Sequence, residues 1–464
     1  MDYIDVKNKR KQYKISQIKL ANATGFSPAK ISSWELNKAC PTQEELAILN
    51  DCLERIINDI VVGASDIRKK KIQHSGTGKN QPTKIVTPLD YNNKISCRSF
   101  STACQYKDQL SRLYSDATSR KKESAPKAIA LFSGCGGLSL GFSAAGFNLV
   151  GHVDIESSAN EIYHNNFKDS DLLGTDICTI SDKEIKSWIS KYGEIDILIG
   201  GPPCQGFSLA GKRDPEDARN QLYQQYVHIV DIIQPKVFLM ENVRLMTSMK
   251  MSDGDFFINQ IKNSFEQVGY TITQHEINVN DYGVPQFRER VILIGIRNDI
   301  NNQVFQFPKP LDKSISSKTF RDATCDLPHL ESGESSSDPL HWCVNHPQHV
   351  IEWLKDVPEG HSAHENEDPR LRPPSGFNTT YKRICWDEPC STITTNFSMI
   401  SGCRNVHPED TRSLTIREAA RAQSFPDEFV FTGKWGDIRK AIGNAVPPLF
   451  AEKIAEAIMK QFFD

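Results

Sequence analysis

Residues 196–208 read Asp-Ile-Leu-Ile-Gly-Gly-Pro-Pro-Cys-Gln-Gly-Phe-Ser. The thiol of Cys204 leaves a turn that Pro202 and Pro203 hold extended, just past an apolar run (Ile195, Ile197, Leu198, Ile199). A sulfur presented at the carboxyl end of a strand is placed to act as a nucleophile. The alternative is a small cysteine buried at a strand end. Charged groups close or open other apolar runs. Glu241 follows Lys236 to Met240, and Arg288 and Arg290 precede Val291 to Ile296. Open α/β sheets put their sites at such strand ends.

The elements that must present these groups alternate between strand and helix from Ala128 onward, which predicts a doubly wound α/β domain. Ala128 to Phe132 is the first strand, Ser133-Gly134-Cys135-Gly136-Gly137 a glycine turn, and Leu140 and Phe142 lie on the helix after it. Leu149 to Val153 is the next strand. Asp154 ends it twenty residues after Gly134, where a nucleoside-binding fold keeps an acid for ribose hydroxyls. Asp176-Ile177 follows a short strand, where a carboxylate can accept an adenine amino group. A glycine turn alone would equally suit a dinucleotide dehydrogenase, but this one does not spell Gly-x-Gly-x-x-Gly.

The chain has 464 residues and a net charge of -3, unevenly divided. Residues 1–126 hold 22 Lys+Arg against 13 Asp+Glu, and the remainder 33 against 45. A polyanion held by the larger part must therefore meet locally basic loops. No apolar run is long enough to cross a bilayer and no secretory leader is evident, so a cytoplasmic protein with no membrane partner is expected, its twelve cysteines mostly reduced. His341, Cys343, His346 and His349 cluster, with His361 and His364 nearby. Their spacing fits no zinc pattern, and structural or phosphate-contact roles are expected with no metal.

Near the N-terminus, Ser16 to Ala23 has helical spacing, Ser27 and Pro28 read as the N-cap and first turn of a second helix, and Pro41-Thr42 opens a third, with Leu46, Leu49, Leu53 and Ile57 on one face. This stretch resembles the helix-turn-helix of phage-repressor-like regulators. The resemblance places Gln17 near a phosphate and Lys30, Ser32 and Ser33 on the groove-facing helix. A plain three-helix packing module is the alternative, since that helix carries no Arg, Asn or Gln to read a base edge. Residues 67–125, with Arg68-Lys69-Lys70-Lys71 and Arg120-Lys121-Lys122, read as a linker that is either solvated tether or a DNA-backbone contact, with one helix around Cys104 to Tyr114.

Pro-Pro-Cys-Gln-Gly-Phe-Ser, Phe-Ser-Gly-x-Gly-Gly, Glu241-Asn242-Val243, Gln286-Phe287-Arg288-Glu289-Arg290, and Arg417-Glu418, Arg421 with Gln423-Ser424-Phe425-Pro426 resemble, in that family's motifs, the bacterial-type cytosine-5 DNA methyltransferases of restriction–modification systems. The resemblance runs over residues 126–464. It implies a Rossmann-like S-adenosylmethionine-dependent methyltransferase sheet with a small irregular target-recognition domain. It assigns Phe132, Gly134, Cys135, Gly137, Asp154, Ile155, Asp176, Ile177, Pro203, Leu222, Asn444 and Val446 to the S-adenosylmethionine pocket. Asp154 stands where many members have Glu, which shortens its reach but keeps the ribose acceptor. Cys204, Glu241, Arg288 and Arg290 are assigned to the reacting base. The thiolate adds to C6, Glu241 is the acid at N3 and Arg290 the cation near O2, so that C5 can attack a sulfonium methyl. The cytosine must leave the duplex, and Gln205, Ser208, Lys212 and Arg213 are expected on the loop that closes over the strand.

The expected organisation is a helix-turn-helix domain over 1–66, a linker over 67–125, a catalytic domain over 126–304 and 436–464, and a target-recognition domain with hinge over 305–435. The resemblance further implies double-stranded DNA as substrate and a restriction endonuclease as functional partner. Some such enzymes repress their own promoter through an N-terminal helix-turn-helix. A transfer-RNA branch shares Pro-Pro-Cys, so an RNA cytosine methyltransferase is the alternative, and a regulator with a vestigial enzyme domain a third.

Overall fold

The computed structural model describes residues 3–12, 15, 17–35, 39–54, 84–85, 100–119, 121, 123–203, 222–251, 254–300, 304–312, 318–374, 377, 379–401 and 404–464. They fall into two compact units, Met1–Gln81 and Pro82–Asp464.

In the first unit α1 (Tyr3–Gln12), α2 (Gln17–Thr24), α3 (Pro28–Glu35) and α4 (residues 43–54) enclose Val6, Ile15, Leu20, Ala21, Ile31, Trp34, Leu49 and Leu53. Ser27 Oγ accepts the N–H of Lys30 at 3.2 Å, the expected cap. Thr42 and Glu45 cap α4 reciprocally, at 3.2 and 2.8 Å. Ile57 lies outside the described residues. Two expected DNA contacts are otherwise engaged. Gln17 donates to Glu35 at 2.7 Å, in a network with the buried Arg10 (2.7 and 2.9 Å). Lys30 is taken by Glu45 at 2.6 Å, over the rings of Phe26 and Trp34. Ser32 and Ser33 are half-buried. The sequence also hid α1, whose many charged residues leave no apolar stripe to read.

The second unit is a seven-stranded sheet: β1 (Lys127–Leu131), β2 (Asn148–Val153), β3 (Asp171–Gly174), β4 (Ile197–Gly200), β5 (Val237–Val243), β6 (Tyr270–Asn278) and β7 (Glu289–Arg297). The spatial order is β3-β2-β1-β4-β5-β7-β6, with β7 antiparallel to both neighbours and the other pairings parallel. Two-residue periodicity distributes the core between the faces. Ala128, Ala130, Ile197, Ile199, Val237 and Leu239 face one cluster, and Ile129, Leu131, Leu198, Phe238 and Met240 the other. The helices are α5 (Phe100–Thr118), α6 (Gly137–Ala144), α7 (Ser157–Asn166), α8 (Asp182–Tyr192), α9 (Leu222–Ile233), α10 (Phe257–Gln267), α11 (Phe320–Thr324), α12 (Gln348–Leu354), α13 (Ile416–Ala422), α14 (Trp435–Asn444) and α15 (Pro448–Phe462). Strand order turns back between β1 and β4, which opens a crevice at their carboxyl ends. The glycine turn after β1 and the Gly-Gly-Pro-Pro turn after β4 both reach it.

Residues 67–125 are not tether throughout. Tyr106, Leu110, Leu113 and Ala117 of α5 are buried in the main core, Tyr106 donates to the carbonyl of Arg421 at 2.9 Å, and Ser143 donates to that of Ala117 at 2.7 Å. Lys84–Ile85 pairs with Glu334–Ser335. Burial of one apolar face of α5 outweighs the polar composition around it. The stretch 305–435 divides as well. Phe305, Phe320, Ile416, Phe425 and Phe431 join the main core, whereas Val350, Leu354, Val357, Ala363, Tyr381, Ile400 and Val406 form a small core of their own.

Three enclosed histidines are held neutral. His407 Nδ1 accepts backbone N–H groups of Asp410 (2.9 Å) and Glu409 (3.3 Å), and burial lowers its pKa to about 3. His346 Nε2 accepts the N–H of Ser413 at 3.0 Å, and burial lowers it to about 4. His152, stacked on Tyr163 at 3.9 Å, is lowered to about 4 by burial. Each value lies below the 6.5 of the unfolded chain, so the unfolded chain takes up more protons as pH falls. Stability is intact above pH 6.5 and is lost below it, by about 1.4 kcal/mol per pH unit for each proton. Urea midpoints are therefore expected to begin falling near pH 6, above the range in which carboxylates titrate, and substitution of His407 by Gln should blunt the early fall.

Candidate active site

The glycine turn takes its shape from left-handed backbone at Phe132 (φ 53°), Gly134 (φ 53°) and Gly136 (φ 96°). Asp154 locks it from the end of β2. Its Oδ2 accepts the N–H of Gly134 at 2.7 Å and its Oδ1 that of Glu156 at 2.8 Å. Burial raises its pKa. Each oxygen keeps a lone pair for a hydroxyl. Ile155 beside it is 67% exposed, unusual for so large an apolar side chain, while Ile177 is buried and Asp176 caps the short turn after β3 by accepting the N–H of Cys178 at 2.9 Å. Among the described residues beyond its chain neighbours, no heavy atom lies within 4 Å of where a Cβ on Gly134 would stand, and the buried Ser133 Oγ has no partner. The turn thus lines open space with an unsatisfied hydroxyl. Gly137, at the start of α6, packs so closely on the chain after α14 that a Cβ would lie 2.3 Å from the carbonyl oxygen of Val446. Asn444 is exposed and Leu222 begins α9. Cys135 is structural: it is buried, contacts the carbonyl of Ala441 at 3.6 Å, and burial pushes its thiol up to about 12.

Across the crevice, Glu241 on β5 and Arg290 on β7 pair through Nε and Oε1 at 2.8 Å. The register explains the meeting. Glu241 lies opposite Ile292, and Arg290 is two residues from it, so both side chains leave the same face. Burial lowers the pKa of Arg290, against the field of Glu241. The other carboxylate oxygen, Oε2, lies 2.9 Å from where a Cβ on Gly201 would stand, so that glycine makes room for the acid. Asn242, buried, donates to the carbonyl of Pro202 at 2.9 Å and so fixes the turn that leads to residue 204. Its position beside Glu241 is the signal that sequence reasoning passed over. Pro203 is half-buried; Cys204, Gln205, Ser208, Lys212 and Arg213 lie outside the described residues.

Arg288 does not join this pair. Its guanidinium donates to the carbonyls of Ile393 (3.2 Å) and Gly443 (3.3 Å). The chain leaves the main sheet at this residue, since Gln286–Phe287 ladders instead with Cys390–Ser391. Sequence reasoning also missed Gln286 and Gln423, both fully buried and bonded to each other at 2.8 Å. His341 bonds Thr415 Oγ1 (2.9 Å) and the carbonyl of Pro328 (2.8 Å), and His346 contacts Cys343 at 3.9 Å. Substituting Asn242 by Leu orphans the buried carbonyl of Pro202. The expected loss is about 1–3 kcal/mol in urea denaturation.

The family model described as C-5 cytosine-specific DNA methylase matches residues 126–460, and a helix-turn-helix model matches residues 6–55. The type II methyltransferase M1.HphI of Haemophilus parahaemolyticus is 40% identical over 337 residues, 72% of this chain and 86% of that protein. M.Sau96I of Staphylococcus aureus is 32% identical over 427 residues, 91% of this chain and 95% of that one. A solved structure of a prophage-encoded DNA modification methyltransferase of E. coli aligns with a TM-score of 0.59 at 28% identity, covering 73% of this chain and all (100%) of its own. With the crevice built from the same motifs, the chain belongs to the C-5 cytosine-specific DNA methyltransferases of the type II restriction–modification kind, and carries an N-terminal helix-turn-helix domain.

Proposed function

We propose that the enzyme methylates C5 of a cytosine flipped from one specific duplex sequence, through a covalent bond between Cys204 Sγ and C6. Residues 305–435 read that sequence, and the mark protects it from a partner restriction endonuclease. The observation that carries this reading is the Glu241–Arg290 pair beside Gly201, three residues before the prolines' cysteine. Arg290 occupies Oε1 and leaves Oε2 on the Gly201 side for the ring N3.

Membership of the family implies S-adenosylmethionine as methyl donor. The turn of residues 132–137 fits such a group: it is open at Gly134, has an unpartnered Ser133 hydroxyl, and is flanked by Asp154 and the exposed Ile155. Asp154 would hold ribose hydroxyls, Ile155 and Ile177 would flank the adenine, and Asp176 would accept its amino group, with Phe132, Leu222, Asn444 and Val446 completing the walls. When bound, the donor supplies an electrophilic methyl on a positively charged sulfur.

The thiolate of Cys204 forms a bond to C6, and the displaced ring electrons reach C5 as N3 takes a proton from Glu241. Arg290 faces the charge building at O2. The C5–methyl bond forms as the methyl–sulfonium bond breaks. Loss of the C5 proton to a base, departure of the thiolate and return of the N3 proton to Glu241 restore the aromatic ring. An oligonucleotide with 5-fluorocytosine at the target lacks that proton, so with donor present the enzyme should be trapped on it, and peptide mapping should find the adduct at Cys204. Efficient methyl transfer by Cys204→Ala, or an adduct elsewhere, would overturn the mechanism.

The helix-turn-helix match supports a second role, repression of the enzyme's own promoter through α3. Deleting residues 1–66 should abolish promoter binding in footprinting while leaving methylation of target DNA within about two-fold; promoter occupancy that survives the deletion excludes this role.

A further inference from the structure

We propose that Arg288 is a positioning residue for the methyl donor's site and makes no contact with the cytosine. The inference rests on the cofactor-pocket reading above. A helix ends with backbone carbonyls that have no intrahelical partner, and a cation there also meets the negative end of its dipole. At the end of α14 two adjacent carbonyls receive buried side-chain donors. Gly443 takes both terminal nitrogens of Arg288 at 3.3 Å, and Ile442 takes Gln423 Nε2 at 2.7 Å. The same guanidinium reaches the carbonyl of Ile393 at 3.2 Å, joining α14 to a segment on the far side of the junction. Arg288 is 3% exposed and its Nε has no partner.

Nothing compressible separates this turn from the glycine turn. A Cβ on Gly443 would lie 2.3 Å from the backbone nitrogen of Thr395, and a Cβ on Gly137 would lie 2.3 Å from the carbonyl oxygen of Val446, three residues further along. The chain from 443 to 446 is therefore clamped, backbone against backbone, between the 393–395 segment and the start of α6. A shift at Gly443 is handed to Val446 and Gly137, and so to the wall of the donor's pocket. Arg290, committed to Glu241, has no such route. Lysine cannot replace the clamp, because one ammonium lacks the planar fork that spans carbonyls on two segments.

The test compares Arg288→Lys and Arg290→Lys in the full chain. Calorimetric binding of S-adenosylhomocysteine without DNA should weaken about ten-fold for Arg288→Lys and stay within about two-fold for Arg290→Lys. In steady state, Arg288→Lys should chiefly raise KM for the donor and Arg290→Lys chiefly lower kcat. If Arg288→Lys binds S-adenosylhomocysteine as the parent does and loses only kcat, the inference is overturned and Arg288 belongs with the reacting base. Failure of the parent enzyme itself to bind S-adenosylhomocysteine would instead remove the cofactor-pocket reading. Thermal melts report whether Arg288→Lys folds; if it does not, Gln423→Met probes the same turn, with weakened binding expected and unchanged binding overturning the proposal.

Discussion

Gln286 holds together parts of the chain that sequence keeps far apart. Its Oε1 accepts the N–H of Ile393 at 2.7 Å, and its Nε2 donates to Gln423 Oε1 at 2.8 Å. Gln423 passes the connection on to the carbonyl of Ile442. The sheet cannot do this work, because its ladder is interrupted at Arg288 and the local pairing there is only two residues long. An amide buried this deeply must be satisfied at both ends, and one unpaired group would cost about 1–3 kcal/mol. The network therefore acts as a unit. Its position decides where the glycine turn, the Glu241–Arg290 pair and the 393–395 segment lie relative to one another.

The same junction sets the electrostatics of the crevice. Residues 127–464 carry more acid than base, yet Arg288 and Arg290 are both buried, the charge of Arg290 works against that of Arg288, and the field of Glu241 supports both. Two guanidinium groups against one carboxylate leave the pocket biased towards positive potential in a low-dielectric setting. Negative charge is favoured in such a setting.

The strands were legible because each is a short apolar run that ends at a turn residue or a charged group. Ala128 to Phe132 and Leu149 to Val153 match the observed strands to within a residue, and Lys236 to Met240 stops three residues short of the observed end at Val243. Glu241 and Arg290 were legible through motif spacing. What escaped depends on partners distant in sequence. The polar composition around α5 concealed the face of Tyr106, Leu110 and Leu113 that the core buries. Nothing local announces that Gln286 and Gln423 will meet across 137 positions, or that a bend at Arg288 sends its guanidinium away from the pair two residues on. For Gln17 and Lys30 the motif suggests contacts outward, and the tertiary structure pairs the two side chains with Glu35 and Glu45.

The irregular stretch after β7 raises a question that the sheet does not: how does a region with so few ladders satisfy its buried backbone? Arginine side chains take the place of strands. Arg412, fully buried, uses all five N–H groups, on the carbonyls of Leu330 and Ser413 and on the carboxylates of Glu418 and Asp410. Arg383 donates to the carbonyls of His407, Asp410 and Leu354. The Arg412 guanidinium holds the Glu418 carboxyl well below its usual range, against the effect of burial. A frame built this way binds backbone oxygen, which every residue type supplies. Surface side chains on the loops it ties down can then change without loosening it. That separation leaves the loops free to vary while one connection to the sheet is kept.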